Sequence, residues 1–369
     1  MGKALFNPDR ETGKDNSRVP RQHSMKLDTV QEEDITQWAL WNTGSRNESI
    51  SRNVGWGPDT PKAEEDFDIQ YQDYSDYAVR MCTIAVIDTA FDVRNPALQS
   101  IWTNIDEIQS DNIDNDRNGY VDDNNGWDFY DNDNTIQSKN QVENIHGTHM
   151  IGILCGATNH FTGVLKNSQN QVMCIRALGG PSDQGEIDSV IQAIHYAEAN
   201  VATVCCLSLS TYIDSPQLAK TIAESKMLIV VASGNDGVAL TKNDTVYPAS
   251  YQMDNMISVA DARSDGNLSV TSNYSETYVD IAAPGTDILS TCPGNKFAYN
   301  SGTSCAVPFV GGLAGMIYSC SPKPISAIEI KEIICQNATP SPKLKGKVRT
   351  GGMINFTASL LELLGLEDL

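Results

Sequence analysis

Short apolar runs separated by polar, turn-rich stretches fill the middle of the chain. Cys82–Ile87, Val172–Arg176, Val201–Leu209, Met227–Ser233 and Met256–Ala260 are rich in β-branched and other apolar side chains, with no polar alternation. That is the pattern of strands covered on both faces. Between them the period lengthens: Ile187, Val190, Ile191 and Ile194 recur at i, i+3, i+4 and i+7, which predicts an amphipathic helix, and Pro216–Lys226 reads as another. Strand and helix in alternation predict an α/β fold of three layers, a mostly parallel central sheet flanked by helices. Two apolar stretches, Met150–Cys155 and Cys305–Tyr318, read as buried helices, and Gly311, Gly312 and Gly315 let the second pack closely.

The ends follow other rules. Residues 1–33 are polar and show no sustained period, which predicts a flexible extension or short propeptide. One large domain is expected over residues 34–355, and Phe356–Leu369 reads as an apolar terminal helix packed on it.

Charge narrows the partners. Lys+Arg number 26 against 47 Asp+Glu, a net charge of −21, which excludes charge-driven binding to nucleic acid or an anionic membrane and favours cationic peptides or metal ions. No apolar run approaches the roughly 20 residues of a membrane span, and the start MGKALFNPDR lacks the apolar core of an export signal. Nine cysteines, odd in number and scattered, suit a reducing compartment, so a cytoplasmic location is expected.

The negative charge is concentrated. From Asp106 to Asp133 there are ten carboxylates and one basic residue, Arg117. Asp114, Asp116, Asn118, Tyr120 (through its carbonyl), Asp122 and Asp123 place oxygen donors at nearly alternate positions around Gly119, much like the first half of an EF-hand loop. The bidentate glutamate of an EF-hand is missing. The expectation is a calcium-binding insert at about 106–137, with calcium as a structural ion and no organic cofactor.

Four further motifs carry chemistry. Ser304, in SGTSCAVPFVGG, opens an apolar stretch, so its hydroxyl is expected at a helix N-terminus where backbone N–H groups and the helix dipole favour negative charge. His146, in HGTHM, supplies an imidazole. Asp88 ends a predicted strand, at the edge where α/β sheets place ligand-binding residues, and Asn235, in ASGNDG, follows another. Hydroxyl, base, orienting acid and oxyanion donor are the parts that nucleophilic amide cleavage requires.

In that chain order the motifs resemble those of the subtilisin-like serine peptidases. The resemblance implies Ser304 as nucleophile, His146 as general base, Asp88 as its orienter, Asn235 in the oxyanion hole, and a structural role for His149. It implies substrate-pocket walls at Ser208, Leu209 and Ser210 and at Ala232, Ser233 and Gly234, with Val246 at the pocket base. It also implies a second calcium set of Asp128, Asp131, Asp133, Thr135 and Gln137. Two positions depart from the family pattern: Ala90 and Ser210 stand where glycine is usual, and Ala90 would be strained if its backbone needs positive φ. Val246 shortens the pocket while Asp236 favours a basic residue there, so preference for the residue before the cut stays open. The function implied is endopeptidase cleavage of a peptide or protein, in general turnover or in maturing a specific precursor, with autoinhibition by residues 1–33. A transpeptidase or macrocyclase using the same acyl-enzyme, and a peptide-binding pseudoprotease, are the alternatives.

Overall fold

The computed structural model describes residues 37–40, 68–158, 161–180 and 183–366. The expected extension at residues 1–33, and its autoinhibitory contact, lie outside the described residues.

The sheet has eight strands: β1 (Thr83–Asp88), β2 (Gln171–Arg176), β3 (Val204–Leu207), β4 (Leu228–Ala232), β5 (Met256–Ala262), β6 (Ile281–Pro284), β9 (Thr339–Pro340) and β10 (Gly352–Met353). Their order is β2-β1-β3-β4-β5-β6-β10-β9, parallel throughout except for the β10–β9 pair. β7 (Ile288–Cys292) and β8 (Lys296–Asn300) form a separate antiparallel hairpin. The helices are α1 (Ile145–Cys155), α2 (Ile187–Ala199), α3 (Pro216–Glu224), α4 (Thr303–Cys320), α5 (Ala327–Gln336) and α6 (Phe356–Leu364).

Direction reverses at β1. The chain steps from β1 outward to β2 through α1, then back past β1 to β3 through α2. With right-handed crossovers the two helices lie on opposite faces, which makes the three layers. α4 packs against α1 and beneath β3 to β6, while α3 packs against α2. The gap beyond the carboxyl ends of β1 and β3 is the topological switch point, where open α/β sheets bind ligands.

The expected strands and helices are present, with trimmed ends. Val201 is not in β3: it has φ +61° and is 80% exposed, in the turn that closes α2. β6, the β7–β8 hairpin and the β9–β10 pair carried too little pattern to be foreseen. α4 is long and apolar enough to cross a membrane, yet it forms the buried core of the domain. α6 buries Phe356 and Leu360 and packs against α4, so it covers the core.

Candidate active site

Asp88 is the last residue of β1 and is 1% exposed. One carboxylate oxygen accepts the Thr89 N–H (2.7 Å) and faces Nδ1 of His146 at 2.6 Å. The acceptor requires hydrogen on Nδ1, which leaves Nε2 with its lone pair. His146 is the second residue of α1, and the start of that helix is pinned by Gly147 N–H donating to the Thr89 hydroxyl (3.0 Å). Burial alone would depress the His146 pKa, but the Asp88 carboxylate, by charge and hydrogen bond, with Asp183 adding its charge, lifts it to about 8. Ala90 has no positive φ, so the expected strain there is absent.

His149, one turn on, is fully buried, and its Nε2 donates to the carbonyls of Ile288 (3.0 Å) and Ala298 (3.2 Å). Burial, then the neighbouring His146, push its pKa down to about 3. It stays neutral and fastens α1 to the β7–β8 hairpin.

Ser304 is the second residue of α4, and its hydroxyl donates to the Ser208 carbonyl (3.2 Å). Pro308 lies four residues on and has no N–H for the Ser304 carbonyl, which accepts the Ser208 hydroxyl instead (3.0 Å). The missing helical bond thus becomes a tie between the nucleophile candidate and the end of β3. Cys305, the next residue, is fully buried and its thiol pKa is raised by burial, so it is a packing group.

Asn235 lies exposed in the loop after β4. Thr303, just before Ser304, donates to its side-chain oxygen from both the backbone N–H (2.9 Å) and the hydroxyl (3.0 Å). That fixes which end of the amide is oxygen and leaves Nδ2 as its donor end. Thr303 was missed by sequence reasoning, because its partner is 68 residues away.

The expected pocket walls follow β3 and β4. Ser208 and Leu209 are buried, as are Ala232, Ser233 and Gly234. Thr211, directly after Ser210, exchanges two 2.8 Å backbone hydrogen bonds with Tyr247, which brings Val246 to the same place. A Cβ on Gly234 would meet the Val246 side chain at 3.3 Å, so the valine abuts that wall. Asp236 accepts from the Tyr212 hydroxyl and from Asn273, so its carboxylate serves as a brace between them.

The acidic insert is folded by its own carboxylates. Asp114 accepts the Asn118 and Gly119 N–H groups, Asp116 accepts Asn118 and Asn104, Asp122 accepts the Asp111 and Asn112 N–H groups, and Asp123 accepts Asn104, Asn118 and the Tyr196 hydroxyl. The Asn118 side-chain oxygen is taken by the Tyr120 N–H (2.8 Å). Among the described residues, Glu107, Asp114 and Asp116 bring carboxylate oxygens within 4.8 Å of one another, close enough to share one ion. Glu107 had not been foreseen. All three donors are hard oxygens, which fits calcium.

The second expected set is arranged differently. Asp128 and Asp131 turn to the buried Arg176 guanidinium, which also holds Glu143 (3.0 Å). Asp133 accepts the Thr135 N–H, and Gln137 donates to Asp92. An arginine supplies the positive charge at Asp128 and Asp131 where a cation was expected, and it ties the end of β2 to the residues just before His146.

Asp88 lies on the first strand, His146 on the first helix and Ser304 on the last long one, the order of the subtilisin-like α/β proteins. The chain belongs to the subtilase family, whose model matches residues 80–354. It is 35% identical over 275 residues to a thermophilic serine proteinase of Bacillus sp. (strain AK1), covering 72% of this chain and 60% of that one. It is 38% identical over 197 residues to thermitase of Thermoactinomyces vulgaris, covering 53% and 67%. The chain therefore spans less than two thirds of the Bacillus relative's length. The solved structure of the prenylagaramide maturation protease PagA superposes with a TM-score of 0.60 at 23% identity, covering 79% of this chain and 96% of that one, a likeness of fold.

Proposed function

We propose that the protein is a serine endopeptidase that cleaves peptide bonds through an acyl-enzyme on Ser304. The observation that carries this is the 2.6 Å contact between the Asp88 carboxylate and His146 Nδ1 at the switch point, with Ser304 at a helix N-terminus and the Asn235 amide oxygen taken by Thr303. His146 Nε2 takes the proton as Ser304 Oγ bonds to the carbonyl carbon, and the developing oxyanion receives hydrogen bonds from Asn235 Nδ2 and the start of α4. The imidazolium, paired with Asp88, returns the proton to the leaving amine. Water then attacks the ester by the same route.

A fluorophosphonate tests this directly by intact mass. One adduct on wild type and none on Ser304→Ala is the expected result; an unlabelled wild type overturns the reading. The net charge of −21 favours cationic substrate segments. Nine unpaired thiols, eight of them buried, favour a reducing compartment.

The proposal includes one structural calcium, held by Glu107, Asp114 and Asp116 in the insert. Ion binding to the folded state alone contributes about 2.7 kcal/mol at a hundred times the dissociation constant. Calcium is expected to raise the melting temperature of wild type, with the gain abolished in Asp114→Ala. An identical gain in both proteins rules out this site.

A further inference from the structure

Asn273 lies between β5 and β6 and was singled out by no motif. It is fully buried, and all its side-chain hydrogen bonds go to the loop after β4. Nδ2 donates to the Ser233 carbonyl and the Asp236 carboxylate, both at 3.1 Å. Oδ1 accepts the N–H groups of Asp236 and Val238, also at 3.1 Å. Its backbone N–H donates to the Gly234 carbonyl (2.9 Å), and its carbonyl accepts the Ser233 hydroxyl (3.0 Å).

These bonds bracket Asn235 on both sides. The parallel pairing of β4 ends at Ala232, and its last bond to β5 is the Ser233 N–H to the Val259 carbonyl (3.0 Å), so beyond Ser233 the ladder no longer holds the backbone. That backbone also passes through positive φ at Gly234 (+99°) and Gly237 (+70°), conformations that an unsupported chain would readily leave. A Cβ on Gly234 would lie 2.5 Å from Asn273 Nδ2, so the loop and the asparagine are in direct contact. Thr303 orients the Asn235 amide, but only a fixed backbone gives that amide a fixed origin.

We infer that Asn273 is a positioning residue for the oxyanion donor, setting the backbone of the Ser233–Val238 loop so that Asn235 Nδ2 meets charge that develops in the transition state. The inference rests on the peptidase reading above. A donor that acts in the transition state affects kcat and leaves KM alone. A residue that acts only through Asn235 must also lose its effect when Asn235 is gone.

The experiment is a double-mutant cycle on a chromogenic peptide, with Asn273→Asp, Asn235→Ala and the pair. Asn273→Asp keeps the size and the acceptor but loses both donations. It is expected to lower kcat 10- to 100-fold with KM changed less than twofold, and to cost less than threefold in the Asn235→Ala background. Equal losses in both backgrounds, or a change confined to KM, overturn the inference. If Asn273→Asp does not fold, judged by circular dichroism, Asn273→Ser is put through the same cycle, and failure of both to fold shows a global role instead. Fluorophosphonate labelling of wild type separates the two readings: a labelled, active wild type with an additive cycle sinks only the role of Asn273, whereas an unlabelled wild type sinks the peptidase reading and this inference with it.

Discussion

Asp88→Asn is expected to lower kcat by about four orders of magnitude while the protein stays folded, the scale seen when the orienting aspartate of an Asp-His-Ser site is lost. The reason is local. Asp88 holds hydrogen on His146 Nδ1, whereas an asparagine can present its amide N–H to that nitrogen and move the hydrogen to Nε2, where the base is needed. The same variant tests the electrostatics. In wild type, His146 titrates at about 8, so kcat/KM should rise with pH through about 8 as the imidazole loses its proton. Because the folded pKa lies above the ordinary value near 6.5, the Asp88–His146 ion pair adds stability that is fully present below about 6.5 and is lost as pH rises through 8. In Asp88→Asn the residual activity should show its acid limb at lower pH, since burial remains and the carboxylate is gone. A limb that stays near 8 would mean that another group governs the profile.

The largest loss of stability is expected from Arg176→Met. Arg176 has a side chain 3% exposed and holds Asp128, which is fully buried, together with Asp131 and Glu143. Removing one partner from a buried ionic cluster leaves uncompensated charge and costs about 3 to 5 kcal/mol. The cluster also joins the end of β2 to the segment that leads into His146, so activity should fall with stability. Urea unfolding measures the first effect and turnover in the absence of urea the second. An unchanged midpoint would show that Asp128 is adequately compensated without the arginine, against its burial.

Much of the site was legible because its parts are short and their chemistry is local. A serine opening an apolar helix, an aspartate ending an apolar strand and an asparagine in a turn can each be recognised within about ten residues, and their order along the chain carried the rest. The sheet was legible for a similar reason, since strands buried on both faces must be apolar throughout. Where the pattern was short or half-covered, as in β7 to β10, nothing in a local window distinguished strand from loop. The left-handed turn at Val201 was misplaced because its side chain is apolar and only the closure of α2 exposes it.

Other assignments depended on residues that meet only after folding. Arg176 lies 45 residues from Asp131, and an acidic run read without it leaves a cation as the natural counter-charge. Glu107 joins Asp114 and Asp116 because backbone N–H groups of Asn115, Asp116 and Asp122 fold the insert around its carboxylate. Thr303 and Asn273 have no signature, because a hydrogen-bonding side chain announces its donors and acceptors but not their partners.

The sequence by itself determined the family, the layered α/β fold and the chemical groups offered at the switch point, since these follow from side-chain type, period and order. Only the tertiary structure decided which groups face each other: that Asp88 meets His146 at Nδ1, that Thr303 and Asn273 hold the loop carrying Asn235, and that an arginine sits against the acids before the histidine. Hydrogen bonds and ion pairs act over about 3 Å in space, and separation along the chain carries no information about that distance once the chain has folded.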